Sequence, residues 1–198
     1  NPINEKEIIR LSLYKKKISF FKKKKINLIN IGRLVKQKNQ IEILHALSGL
    51  KSSIKKFRLL IIGQGPEKNS LIKFINRKKL NSYVKIIFTN TPYKFIKMSD
   101  VFVLSSKYEG LPNVLQEAAF LNKYIISSNC KTGPREIINK YKYGELYQLG
   151  NVKKLTSKLM KLKKNKLNLN KKKFSKNLID FSSKKNLEKY LSVVKKLI

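Results

Sequence analysis

Along the middle of the chain, short and nearly unbroken apolar runs alternate with segments whose apolar residues return every third or fourth position. INLINIG (26–32) is followed by NQIEILHALSGL (39–50), and FRLLIIG (57–63) by a helical stretch near 66–79. VKIIF (84–88) precedes PYKFIKMS, VFVLS (101–105) precedes PNVLQEAAFLN, and YIIS (124–127) precedes PREIINK. Short continuous apolar runs read as strands buried on both faces, and the periodic segments read as amphipathic helices. The alternation predicts an α/β fold: a Rossmann-like parallel sheet with helices on both faces, whose ligands sit at the carboxyl ends of the strands.

Three stretches follow. Residues 1–25, with KKKISFFKKKK, read as a linker or helical lead-in; 26–165 form the Rossmann-like domain; 166–198 form a helical tail. The tail is Lys-rich, with KFSKNLIDF and NLEKYLSVVKKL at helix spacing, which suits packed helices with solvated lysines or an amphipathic helix on a membrane surface.

At 198 residues and 41% hydrophobic, the chain can bury one ordinary core. Its 46 Lys and Arg against 11 Asp and Glu give a formal charge of +35. Such a charge attracts polyanions, but the lysines run from end to end among many Ile and Asn, which a genome-wide codon bias explains as well. In that background a carboxylate is informative. Five of the acids, Asp100, Glu109, Glu117, Glu136 and Glu145, fall between residues 100 and 145.

A single cysteine, Cys130, rules out an internal disulfide and a Cys-rich zinc site, and a reducing, cytoplasmic compartment is expected. No apolar run approaches the roughly 20 residues that span a bilayer, so contact with the inner face of the plasma membrane would be peripheral.

The chemistry concentrates in three places. In SSKYEGLPNVLQEAA (105–119), Pro112 suits the first turn of a helix. The free amides of Asn113, Val114 and Leu115 would then offer an anion site suited to a diphosphate. Glu109 precedes this turn and Glu117 lies inside the helix, so each is expected to accept hydrogen bonds from hydroxyls. Gly32, Arg33 and Lys38 follow the first strand, where Arg can fork onto phosphate and Lys adds a point charge. Gly65, in Gly63-Gln64-Gly65 after the second strand, permits close backbone approach, although tight strand-to-helix turns need glycine anyway. The full GxGxxG fingerprint is missing because position 68 is Lys, which disfavours NAD. The only aspartates are Asp100 and Asp180, so no Asp-x-Asp is available and no metal or other cofactor is expected. His45, the sole histidine, is mid-helix and is expected to be structural or exposed.

Taken together, INIGRLVKQKN, LLIIGQGPE, KMSDVFVLSSKYEGLPNVLQEAA, SSNCKTGPREII and YGELYQLGN resemble the C-terminal, donor-binding domain of GT-B fold retaining glycosyltransferases of family 4. The resemblance covers roughly residues 26 to 165 and is most like bacterial enzymes that build lipid-linked or surface oligosaccharides. It implies a nucleotide-sugar donor with UDP as the nucleotide, and a glycan or polyprenyl-linked acceptor. Arg33 and Lys38 would meet the diphosphate, Glu109 the donor sugar, the Asn113 to Leu115 amides the phosphate, and Glu117 the ribose. Asn90 stands where the family often has Gly after the third strand, a departure at the base pocket. The family's N-terminal acceptor domain has no counterpart here, and Asn1-Pro2-Ile3 resembles the interdomain connection; the expectation is half of an enzyme.

Two rival readings carry distinct signatures. A non-catalytic module recruited to RNA or anionic membrane would bind polyanions with steep salt dependence, indifferent to Glu109 and Glu117. The aromatics form no recognisable base-stacking platform, so nucleic acid is not the expected partner. A GT-B-like sugar-nucleotide epimerase would isomerise a UDP-sugar without an acceptor.

Overall fold

The computed structural model describes residues 4–13, 19–141, 144–167 and 192. The helices expected over most of 166–198, and part of the lead-in, lie outside the described residues.

Six strands form one sheet: β1 (Ile26–Ile31), β2 (Phe57–Ile62), β3 (Val84–Ile87), β4 (Val101–Leu104), β5 (Tyr124–Ser128) and β6 (Gly144–Tyr147). Their order is β3-β2-β1-β4-β5-β6, and every neighbouring pair is parallel. Five of the six were read from apolar runs. β6 was not, because GELY is short, opens on glycine and keeps its first three residues half-exposed at the sheet edge.

Helices α1 (Glu5–Ser12), α2 (Gln40–Ser48), α3 (Lys68–Arg77), α4 (Tyr93–Met98), α5 (Asn113–Phe120), α6 (Pro134–Tyr141) and α7 (Val152–Lys161) accompany the strands. Alternate strand residues feed two separate cores. Leu28, Leu59, Ile61, Val101 and Val103 pack with the buried faces of α2, α3 and α7. Ile29, Leu60, Ile62, Phe102 and Leu104 pack with α4, α5 and α6. Both faces are therefore dry, which is why the strands lack polar alternation.

Chain order reverses between β1 and β4, so the loops that follow these two neighbours diverge to opposite faces and leave a crevice at their carboxyl ends. Gly32 to Lys38 lies in one of those loops and Ser105 to Pro112 in the other.

Candidate functional site

The β1 loop is built on glycine contacts. A Cβ on Gly63 would stand 2.0 Å from the Gly32 carbonyl oxygen, and one on Gly65, at φ +152°, 2.4 Å from the Leu34 carbonyl oxygen. Leu34 N–H donates to Gln64 O and Glu67 N–H to Leu34 O. The glycines after β2 thus have a packing reason of their own: they let the second loop lie against the first. Gln40, 2% exposed, donates from Nε2 to the Arg33 carbonyl at 3.0 Å. The Arg33 side chain is exposed, and its guanidinium has no hydrogen bond or ion pair among the described residues.

Lys38 and Glu109 are brought into direct contact, with Nζ 2.7 and 2.9 Å from the two carboxylate oxygens. The Glu109 side chain is 7% exposed and that of Lys38 19%. Several small polar groups hold the pair. Ser105 Oγ donates to the Lys38 carbonyl at 2.9 Å, Ser106 Oγ to Glu109 Oε1 at 2.5 Å, and Ser128 Oγ to the Ser106 carbonyl at 2.7 Å. Gln37 bridges the loops, donating from Nε2 to Tyr108 O and accepting from Lys107 N–H. The loop after β5 forms the floor: Thr132 Oγ1 donates to the Glu109 carbonyl, and a Cβ on Gly133 (φ +80°) would stand 2.0 Å from Gly110 O. Gln40, Thr132, Gly133 and these buried serines were not singled out from the sequence. The available signal was a Ser-Ser pair closing each of β4 and β5, polar residues placed where an apolar strand meets its loop.

At α5 the structure refines the anion site. Pro112 occupies the N-cap, extended at φ −72° and ψ 107°, and its carbonyl accepts from Leu115 N–H at 3.0 Å. The first turn is tightened, so Leu115, which is buried, has its amide engaged. This corrects the expectation of three open amides; Asn113 and Val114 remain without a backbone acceptor among the described residues.

Glu117, one turn inside α5, accepts from the Tyr93 hydroxyl of α4 at 3.4 Å. Burial pushes its carboxyl above the ordinary carboxylate range, and the Tyr93 bond only partly offsets that. The Tyr93 phenol is pushed up to about 12, by burial first and then by the Glu117 charge. Asn90 is exposed in the turn after β3, where Thr91 N–H donates to Thr89 Oγ1. Asn90 follows β3, which lies two strands from β1 in the sheet.

Two other acids of the 100–145 cluster belong to the opposite edge. Asp100 immediately precedes β4, accepts from Asn27 N–H at 2.7 Å and pairs with Lys164. Glu145 accepts from the Tyr124 hydroxyl at 2.6 Å and pairs with Lys158. Both staple the amino ends of the strands. Among the described residues no three His, Cys, Asp or Glu side chains gather as a metal cluster, and no helix is long and apolar enough to cross a membrane. His45 is exposed on α2 beside Phe74, next to a groove of about 520 Å³ between α2 and α7 that shares no residue with the crevice.

The doubly wound parallel sheet thus carries the Lys38–Glu109 pair in the loops that leave its switch-point strands, with the start of α5 following the second of those loops. The family model described as glycosyl transferases group 1 matches residues 14–185, and the chain belongs to that family. It is 43% identical over 111 residues to an uncharacterized glycosyltransferase of Methanocaldococcus jannaschii, covering 56% of this chain and 27% of that protein. It is 31% identical over 125 residues to the Campylobacter jejuni N-acetylgalactosamine-N,N'-diacetylbacillosaminyl-diphospho-undecaprenol 4-alpha-N-acetylgalactosaminyltransferase, covering 63% of this chain and 33% of that enzyme. The chain thus spans a third or less of these relatives' length. Its fold matches Staphylococcus aureus TarM, solved as a mutant with fondaparinux, alpha-GlcNAc-glycerol and UDP, at a TM-score of 0.78 and 21% identity, over 96% of this chain and 42% of that one.

Proposed function

We propose that this domain binds a nucleotide sugar, a UDP-hexose or UDP-N-acetylhexosamine, as the donor half of a family 4 type glycosyltransferase that transfers the sugar with retention to a glycan or polyprenyl-linked acceptor. The observation that carries the reading is the Lys38–Glu109 pair at the switch point, with Arg33 in the same loop as Lys38 and the start of α5 just after Glu109. Membership of group 1, and a relative whose name records transfer onto a diphospho-undecaprenol carrier, support the substrate class.

The chemistry follows from the charges. Lys38 has three N–H donors, two of which are turned to Glu109; the third is left for a phosphate oxygen. Arg33 and the Asn113 and Val114 amides converge on the same diphosphate. As the bond from the anomeric carbon to the phosphate oxygen breaks, negative charge grows on the leaving UDP and is met by groups already in place, so little reorganisation is needed. Glu109 then faces the sugar hydroxyls and the positive charge developing at the anomeric carbon, while Glu117 takes the ribose hydroxyls. No metal is assigned a role.

Titrating the chain with UDP tests this reading. Saturable binding at or below millimolar UDP, weakened by Lys38→Ala, is expected; an absence of binding at millimolar concentration contradicts it.

A further inference from the structure

We infer that Glu42, a carboxylate outside the crevice, is a positioning residue that fixes Lys38 by clamping the left-handed backbone of Asn39. The inference rests on the donor-site reading above.

Glu42 lies in the first turn of α2 and is 3% exposed. It has two N–H partners: Asn39 Nδ2 donates to Oε2, and Gly150 N–H, in the turn before α7, donates to Oε1 at 3.1 Å; the buried Tyr147 hydroxyl of β6 also faces this carboxylate. Asn39, the residue after Lys38, sits at φ 50° and ψ 39°, the left-handed region, which Asn enters more readily than other non-glycine residues but less readily than glycine. As the α2 N-cap it makes no side-chain bond to the helix amides, and its Nδ2 donates to Glu42. A cavity of about 120 Å³ borders Asn39 and Gln40, so space exists for this turn to relax if the clamp is released.

On its other side Lys38 is fixed by Ser105 and by the Gln37 bridge. Glu42 therefore supplies the C-terminal half of a bracket around the lysine that meets Glu109. An apolar residue would pack such a buried position at least as well, since a desolvated carboxylate is unfavourable without strong compensation. Keeping an acid here, in a chain with only 11, ties the β6–α7 turn to the lysine's backbone.

The decisive comparison is Glu42→Leu against Glu42→Leu combined with Asn39→Gly, because glycine adopts the left-handed region without a clamp. Glu42→Leu is expected to weaken UDP binding roughly five- to tenfold, on the scale of one ordinary hydrogen bond. The added Asn39→Gly should restore most of it. In the ligand-free protein, the amide resonances of Lys38 and Gly150 should shift in Glu42→Leu, and that of Lys38 alone should return in the double variant. This second readout is independent of UDP, so a wild-type chain that fails to bind UDP would sink the donor reading while leaving the clamp testable. If Glu42→Leu does not fold, Glu42→Gln, which can accept from only one of the two partners, is read in the same way. Unchanged affinity and unchanged Lys38 resonances in the variant overturn the inference, as does a loss that glycine at 39 fails to rescue.

Discussion

The ammonium of Lys38 lies 2.7 and 2.9 Å from the two oxygens of Glu109, although the residues are 71 positions apart. Each sits in the loop leaving one of two adjacent strands, so their contact closes the crevice at the place where chain order reverses. Lys38 was read as a phosphate ligand and Glu109 as a sugar ligand, independently. Their pairing adds that neither charge waits bare for a donor.

Removing Lys38 should therefore affect more than ligand binding. Lys38→Ala leaves Glu109, 7% exposed, with the Ser106 hydroxyl but no cation, and is expected to lower stability by about 1–3 kcal/mol. A double-mutant cycle with Glu109→Gln should show a coupling of roughly 0.5–3 kcal/mol in urea denaturation. Additive effects would mean that the contact carries no energy.

Glu117 predicts a pH signature. Its folded-state carboxyl is raised, so between the ordinary carboxylate value and the raised one the native state holds more proton than the unfolded chain. Stability should fall as pH climbs through that window. Glu117→Gln should remove its share of this slope, and Tyr93→Phe, which deletes the compensating hydroxyl, should move the window higher. Donor affinity should run the other way, dropping as the carboxylate is protonated, because ribose hydroxyls need the ionised acceptor. Stability measured against pH in the wild type and both variants checks the sign.

Glu145 serves as the opposite control. Burial raises its carboxyl, but the Lys158 and Tyr124 bonds outweigh that and hold it below the ordinary range. Its contribution is present above the unfolded-state value and is lost as pH falls through the folded one. Glu145→Gln should lower stability at neutral pH by less than about 1 kcal/mol, given its partial exposure, and leave UDP affinity unchanged. Altered affinity would show that the amino edge of the sheet is not separate from the site.

Gly133 links backbone packing to function. Gly133→Ala puts a Cβ against the Gly110 carbonyl at φ +80°, and the conformation alone costs about 1–3 kcal/mol. Displacement of the Glu109 loop should weaken UDP binding while circular dichroism retains the α/β signature. Wild-type affinity in this variant would mean the floor does not set the loop.

How much of this was legible in the sequence depended on distance along the chain. β1 to β5 are visible because both faces are buried, whereas GELY of β6 has only an edge to occupy. The E-x7-E spacing, the Arg33 and Lys38 loop and the helix start after Pro112 are local patterns. The serine supports, the Thr132 bond and the Glu42 clamp join loops from different strands, and one sequence gives them no spacing to read. The Leu115 amide was misjudged for a subtler reason: placing proline at the N-cap tightened the turn and consumed a donor.

The central claim assigns one carboxylate to each of two rings of a single donor, and calorimetry on paired ligands tests it most directly. UDP and UDP-N-acetylglucosamine, with UDP-glucose as the alternative sugar, would be titrated into the wild type, Glu109→Gln and Glu117→Gln. The account predicts that Glu109→Gln weakens the UDP-sugar but not UDP, and that Glu117→Gln weakens both equally. Equal losses for UDP and UDP-sugar in Glu109→Gln, or no loss in either variant, would contradict it.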